Sequence, residues 1–314
     1  MLLQNITISG LGGVGGYYGA MLVQAAQQEG LGRKISFVAR GMHRETIAQR
    51  GLHVVTPARN FIVHPDYLAE DPTQLPPADL LILATKSYDL EANIKQLLSL
   101  ITPKTIILPL LNGADIADQV KRLLPENEVW DGCVYISGRK PEAGKILLEA
   151  ERELFFFGSR SSERSPEEKE LFALLESVKV HAINPDNIQE HIRKKFVMIS
   201  ATATGTSYFN QTVGDALRDH PTEMRVLIEE LCSLFQSLGY DLGEDAVERT
   251  IERQTFMIPT STSSMHVDFM AGRPTELENL TGYVVRTARA HGQSLPTYEK
   301  MYEALASQPY PPAF

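Results

Sequence analysis

Gly10, Gly12 and Gly15 fall on the spacing G-x-G-x-x-G directly after the short β-branched run "NITIS". In a strand-to-helix turn that spacing serves one chemistry. It lets the chain reverse tightly, lets the backbone approach a diphosphate and lets the helix pack close to the strand. The turn Gly10, Leu11, Gly12, Gly13, Val14 and Gly15 is therefore the candidate cofactor-binding segment. Arg40 ends the next apolar run, "ISFVAR", Arg44 follows one helical turn later, and Glu45 is the first acidic residue after them. A carboxylate at this place accepts from a ribose 2′-hydroxyl, whereas a guanidinium pairs with a 2′-phosphate, so the pattern expects NADP(H). The competing reading is a solvated basic turn. Two more polar pairs follow apolar runs: Thr85 and Lys86 in "ATKSYD", and Asn112 and Gly113 in "LLNGAD". Ligands of parallel sheets bind at the carboxyl ends of strands, so both are candidate cofactor contacts; their bland alternatives are a loop lysine and an Asn-Gly turn.

These residues need a scaffold, and the chain supplies an alternating one. "ITIS", a helix from Val14 to about Gln28, and "ISFVAR" form a β-α-β unit of about thirty residues, the context the glycine spacing requires. "DLLILATK", the amphipathic "DLEANIKQLLSLI" and "KTIILPLLNG" continue the rhythm, and their near-continuous apolar strands predict a mostly parallel sheet covered on both faces. From about Glu128 to Gly158 the texture predicts short antiparallel strands added to that sheet. Beyond the turn signal Asn184-Pro185-Asp186 the periodicity is helical. The expectation is an α/β protein with a Rossmann-type dinucleotide-binding domain at 1–184 followed by an all-α domain at 185–314.

Composition narrows the function classes. Thirty Lys and Arg against 39 Asp and Glu give a net charge of −9, which argues against a general nucleic-acid surface. The longest apolar runs fall far short of a membrane span, and no basic leader with a cleavage site opens the chain, so the expected location is the cytoplasm. Cys133 and Cys232 are the only cysteines and lie outside any C-x-x-C pattern. Neither a disulfide scaffold nor a metal site is expected; buried free thiols are.

The order "GLGGVG", "VAR", "ATKSYD", "LLNG", followed by a helical half with "RKKF", "STSSM" and "TELENLTGYVVRTARAHGQSLP", resembles the ketopantoate reductase family (2-dehydropantoate 2-reductases) along essentially the whole chain. The last segment is the most restrictive, because it fixes an acidic residue, a small residue, a helix cap and a proline at set separations. The resemblance implies NADPH-dependent reduction of ketopantoate to pantoate, a step of pantothenate and coenzyme A biosynthesis. It implies Lys195 as general acid, Glu276 as a carboxylate near the substrate and lysine, and Asn112 and Ser264 as substrate contacts. Reducing a 2-oxo acid does need such parts: a hydride for the carbonyl carbon, a proton for its oxygen, and partners that hold the substrate still.

Structural alternatives stand beside each assignment. Lys195 sits where a basic helix face gives way to an apolar stretch and is expected to point inward while Arg193 and Lys194 stay wet; the alternatives are one solvated face for all three, a first-turn carboxylate stabilised by the helix dipole for Glu276, and a helix cap for Ser263 or Ser264. One departure bears on the substrate: the family commonly carries asparagines one and two turns beyond the lysine, where this chain has Ile199 and Ala203. A same-fold reductase of another 2-oxo acid, a 3-hydroxy acid dehydrogenase and a non-catalytic NADPH sensor are the alternative functions. The sequence leaves oligomeric state, with a homodimer among its options, kinetic order and physiological direction open.

Overall fold

The computed structural model of the chain describes residues 2–149, 153–161 and 163–307. The elements run β1 (Asn5–Ser9), α1 (Gly13–Glu29), β2 (Lys34–Val38), α2 (Gly41–Arg50), β3 (Leu52–Val55), β4 (Asn60–Val63), β5 (Tyr67–Ala69), β6 (Leu80–Leu83), α3 (Leu90–Leu97), β7 (Ile106–Pro109) and α4 (Ile116–Leu123). Then come β8 (Asp131–Tyr135), β9 (Gly138–Glu142), β10 (Lys145–Leu148), β11 (Leu154–Gly158), α5 (Pro166–Ser177) and β12 (Ala182–Ile183). Helices α6 (Ile188–Phe209), α7 (Val213–Asp219), α8 (Pro221–Ser237), α9 (Ala246–Thr255) and α10 (Ser264–Met270) lead to a π-helical turn at Glu278–Gly282, α11 (Tyr283–Ala290) and α12 (Pro296–Ser307).

Five parallel strands form the main sheet in the order β5-β2-β1-β6-β7. The chain builds outward from β1 in one direction and then returns to build outward from β6 in the other, so the order reverses between β1 and β6. Crevices at such reversals are where open α/β sheets bind ligands. Alternate residues of the strands serve opposite faces. Leu80, Ile82, Ile106 and Leu108 join a core with α1 and α5, while Leu81, Leu83 and Ile107 join another with α3 and α4. A strand buried on both sides has no polar register to keep, which is why these runs read as continuously apolar.

The strands after Glu128 do not extend this sheet. With the earlier β3 and β4 they make two small ones, β4-β3-β10-β9 and β12-β11-β8, with antiparallel β9–β10 and β8–β11 pairs but parallel β3–β10 and β11–β12 pairs. Pairing with β7 ends after a single bridge at Ile107 and Val129, whose two hydrogen bonds join Ile107 to Glu128 and Trp130. The next rung falls on Pro109, which has no N–H to donate.

The described residues after Asn184 form helices and turns with no strand. Phe196, Leu227, Leu231, Phe235, Val284 and Tyr298 anchor their core. Two compact units result: one holds the residues through Leu111 with Asp115–Gln189, the other Asn112–Ala114 with the residues from Glu190 onward. Among the described residues no helix is long and apolar enough to cross a membrane. Cys133 is buried as expected, whereas Cys232 is only half-buried, and neither is in a disulfide.

Candidate active site

In the first unit the glycine turn sits at the β1/β6 reversal. Gly10 has φ +93°, and a Cβ there would lie 2.5 Å from the carbonyl carbon of Ala84, the residue after β6. Conformation and space both demand glycine. A Cβ at Gly13 would lie 2.1 Å from the Gly138 carbonyl oxygen, and one at Gly15 2.2 Å from that of Gly10. Gly12 differs: a Cβ there would meet nothing within 4 Å. It is the N-cap of α1 without a side-chain cap, and the first turn holds no acidic residue. The amide donors of that first turn thus have no side chain competing for them, and the helix dipole favours negative charge there.

The neighbouring candidates cluster around the same strand ends. Thr85 and Lys86 follow β6, and the Thr85 hydroxyl is buried with no hydrogen-bond partner. Arg40 is the exposed N-cap residue of α2, and its guanidinium forms no ion pair with a described residue. Arg44 is half-buried, and its Nε is a buried donor without an acceptor. Glu45 is exposed.

The second unit brings Lys195 and Asn112 together. Lys195 is 8% exposed, and its ammonium donates to Asn112 Oδ1 at 2.8 Å. The cations beside it diverge. Arg193 lays its guanidinium 3.5 Å from the centre of the Tyr240 ring, and Lys194 pairs with Glu190 one turn back on α6. "RKK" is therefore not one solvated face, and Arg193 and Lys194 are half-buried rather than wet. Glu276 is 4% exposed, far more enclosed than a solvated first-turn carboxylate, and its carbonyl accepts the first bonds of the turn that opens the π-helical segment. Ser263, not Ser264, caps α10: its hydroxyl accepts from His266 N at 3.1 Å. Ser264 is the exposed first residue of that helix and has no side-chain hydrogen bond to a described residue.

Hydroxyls along α6 fix these elements, a feature the sequence reading passed over although "SATATGTS" displays it. Ser200 bonds the Leu280 carbonyl at 3.2 Å and the Tyr298 hydroxyl at 3.0 Å. Thr204 meets Thr281 at 2.8 Å, and Thr206 meets the capping Ser263 at 2.9 Å. These bonds tie the helix bearing Lys195 to the segments bearing Glu276 and Ser264. Ile199 and Ala203 lie on the Lys195 face of α6; Ile199 packs half-buried against the helical core and Ala203 lies inside it.

Residues 6–161 match the family model of ketopantoate reductase PanE/ApbA, and residues 187–308 match that of its C-terminal part. This chain belongs to the ketopantoate reductase family. A solved structure, 2-dehydropantoate 2-reductase from Porphyromonas gingivalis, is 42% identical, with 96% of this chain and 99% of that one covered and a TM-score of 0.86. An uncharacterized oxidoreductase, YkpB of Bacillus subtilis, is 26% identical over 304 residues, covering 96% of this chain and 98% of its own. A 2-dehydropantoate 2-reductase of Caulobacter vibrioides is 26% identical over 300 residues, covering 94% and 95%. As a ketopantoate reductase family member the protein is an oxidoreductase, and NADPH is the family's cofactor. The first unit fits that group: open space at Gly12, an uncapped helix start, and orphaned donors on Thr85 and Arg44 are what an anionic dinucleotide would satisfy.

Proposed function

We propose that this chain reduces 2-dehydropantoate to pantoate with NADPH in the cytoplasm, through a dinucleotide-binding domain at 1–184 and a catalytic helical domain at 185–314. The observation that carries the reading is the buried ammonium of Lys195 held by Asn112 at 2.8 Å. When bound, NADPH supplies the hydride. Backbone N–H groups of the Gly10–Gly15 turn hold the diphosphate, Arg40 assisted by Arg44 takes the 2′-phosphate, and Thr85, Lys86 and Asn112 complete the cofactor contacts. Lys195 places an N–H at the substrate carbonyl oxygen, stabilises the charge that develops there and gives up a proton to it. The 2-oxo acid leaves as the 2-hydroxy acid, and Lys195 regains its proton from water. Asn112 fixes the direction of the ammonium and contacts the substrate. Glu276 provides a carboxylate beside substrate and lysine, and Ser264 offers a hydroxyl to the substrate.

A second reading, another 2-oxo acid as substrate, is favoured by Ile199 and Ala203, whose apolar side chains replace amides at family positions. Optical assay of NADPH oxidation against a panel of 2-oxo acids including ketopantoate separates the two. The first reading expects ketopantoate to give the highest kcat/KM; a different acid at the top establishes the second, and no oxidation with any acid overturns both.

A further inference from the structure

His43, in the first turn after Arg40, belongs to none of the roles above, yet it is buried where three segments meet. Its Nδ1 accepts the backbone N–H of Gly144 at 2.8 Å, at the turn between β9 and β10. Accepting there requires the Nδ1 lone pair, so the neutral ring carries its hydrogen on Nε2. Nε2 is buried without a hydrogen-bond partner, and the Leu11 backbone, inside the glycine turn, acts on the ring so as to favour its protonated form. Burial first, then the charge of Lys140 on β9, push the His43 pKa down to about 4, so the ring is neutral near pH 7.

The hairpin that His43 holds is wedged against the dinucleotide turn. β9 meets α1 so closely at Gly138 that Gly13 has no room for a Cβ, and a Cβ on Gly16 would lie 2.6 Å from the Ile146 side chain of β10. At the hairpin turn, Gly144 has φ +75°, and a Cβ there would lie 2.4 Å from Thr46 Cγ2 on α2. The Gly144 carbonyl in turn accepts from His53 N of β3 at 2.9 Å. A shift of the hairpin therefore displaces the first residues of α1, the helix that Gly12 caps.

We propose that His43 is a positioning residue for the dinucleotide: by latching the β9–β10 turn to α2 beside Leu11, it fixes the glycine turn and the α1 amides in the geometry that receives the diphosphate. The inference rests on the dinucleotide reading of the turn. Since NADPH and NADH share the diphosphate, loss of the latch weakens both alike, unlike loss of Arg40. Asparagine keeps an acceptor near the position of Nδ1, whereas leucine fills space without one.

Titration calorimetry of NADPH and NADH against the wild type, His43→Leu and His43→Asn tests this. His43→Leu is expected to raise both dissociation constants by about tenfold, and His43→Asn to restore both to within about threefold of wild type, with kcat at saturating NADPH unchanged. A folded His43→Leu protein that binds both cofactors like wild type overturns the proposal, as does an equal loss in the asparagine variant. Failure of the wild type to bind NADPH would instead sink the dinucleotide reading. Hydrogen exchange of the cofactor-free wild type needs no variant: the Gly144 amide, bonded to His43 Nδ1, should be protected, and exchange of Gly144 at the rate of an unstructured amide overturns the latch.

Discussion

The Lys195 ammonium donates to Asn112 Oδ1 at 2.8 Å although the two residues lie 83 positions apart in the chain. Asn112–Ala114 groups with the helical unit while its flanking residues group with the other, so the bond is internal to the helical unit. A buried cation without such an acceptor would carry a large desolvation cost.

The pair makes a non-additive prediction. Lys195→Ala should lower kcat at least about a hundredfold with little change in NADPH affinity, the scale of a positioned general acid. Asn112→Ala should cost about tenfold, and the double variant should be slower than Lys195→Ala by clearly less than that tenfold, because part of the effect of Asn112 runs through the ammonium. Steady-state kinetics of the three proteins decide it; fully multiplicative losses would mean Asn112 works independently of the ammonium.

Arg40 should separate the two cofactors. Its exposed guanidinium lacks an ion-pair partner among the described residues, and a charge-assisted contact to a 2′-phosphate is worth about 1.5–3 kcal/mol. Arg40→Ala is expected to weaken NADPH by roughly ten- to a hundredfold and leave NADH unchanged. Equal losses, measured by fluorescence titration, would remove Arg40 from that role.

Two neighbouring glycines should fail in different ways. Gly12→Ala meets open space at φ −82°, so its melting temperature should stay at the wild-type value while NADPH binding drops. Gly13→Ala drives a methyl against the Gly138 carbonyl, so stability itself should fall. Calorimetric melting of both variants, with and without NADPH, tests the contrast; tight NADPH binding by Gly12→Ala would count against diphosphate approach at that residue.

The apolar pair on α6 bears on substrate choice. With Ile199 and Ala203 in place of amides, ketopantoate should show a weak KM, and its analogue lacking the terminal hydroxyl should be accepted comparatively well. A ketopantoate preference of about ten-thousandfold in kcat/KM would mean that other residues pair the hydroxyl.

His43 also predicts a pH effect on stability. Its folded pKa of about 4 lies below the ordinary 6.5, so the unfolded chain binds more protons between those values, and stability is lost as pH falls through that window. His43→Asn should lose less than wild type between pH 7 and 5. The difference should amount to about 2–4 °C in Tm. Parallel curves for the two proteins would show that His43 does not carry the linkage.

The fold was legible wherever a single period dominated. Leu80–Leu83 and Ile106–Pro109 read as strands covered on both faces because both faces do enter cores. The pairing of the later strands was not legible, since it turns on one missing N–H at Pro109 and on a parallel β3–β10 contact across some ninety residues. The glycine turn announced itself by spacing. Lys195 was legible only in part: its place before the apolar "FVM" sets it apart as the inward cation, while the partners of the other two, Tyr240 for Arg193 and Glu190 for Lys194, lie outside the motif. Likewise "STSS" could not tell the capping Ser263 from Ser264, because the choice rests on one backbone donor, His266 N. His43 carried no motif at all; its partner Gly144 is a hundred and one positions away.

The π-helical turn at Glu278–Gly282 holds one residue more than an α-helical turn would. Glu278 there pairs with Arg286 and accepts from the Tyr302 hydroxyl at 2.7 Å, over a Gly282 whose Cβ would press on the ends of the Glu278 and Arg286 side chains. Each helical residue advances the azimuth by about 100°, so deleting one residue from this turn would swing every side chain of α11 by that angle relative to Glu276. Length variation here is thus a rotational dial between the buried carboxylate and the helix that follows it. Related chains that keep the acidic residue and lose a position in this turn should present a different face of α11 to the core, and must repack Val284, Val285 and Ala288 to do so.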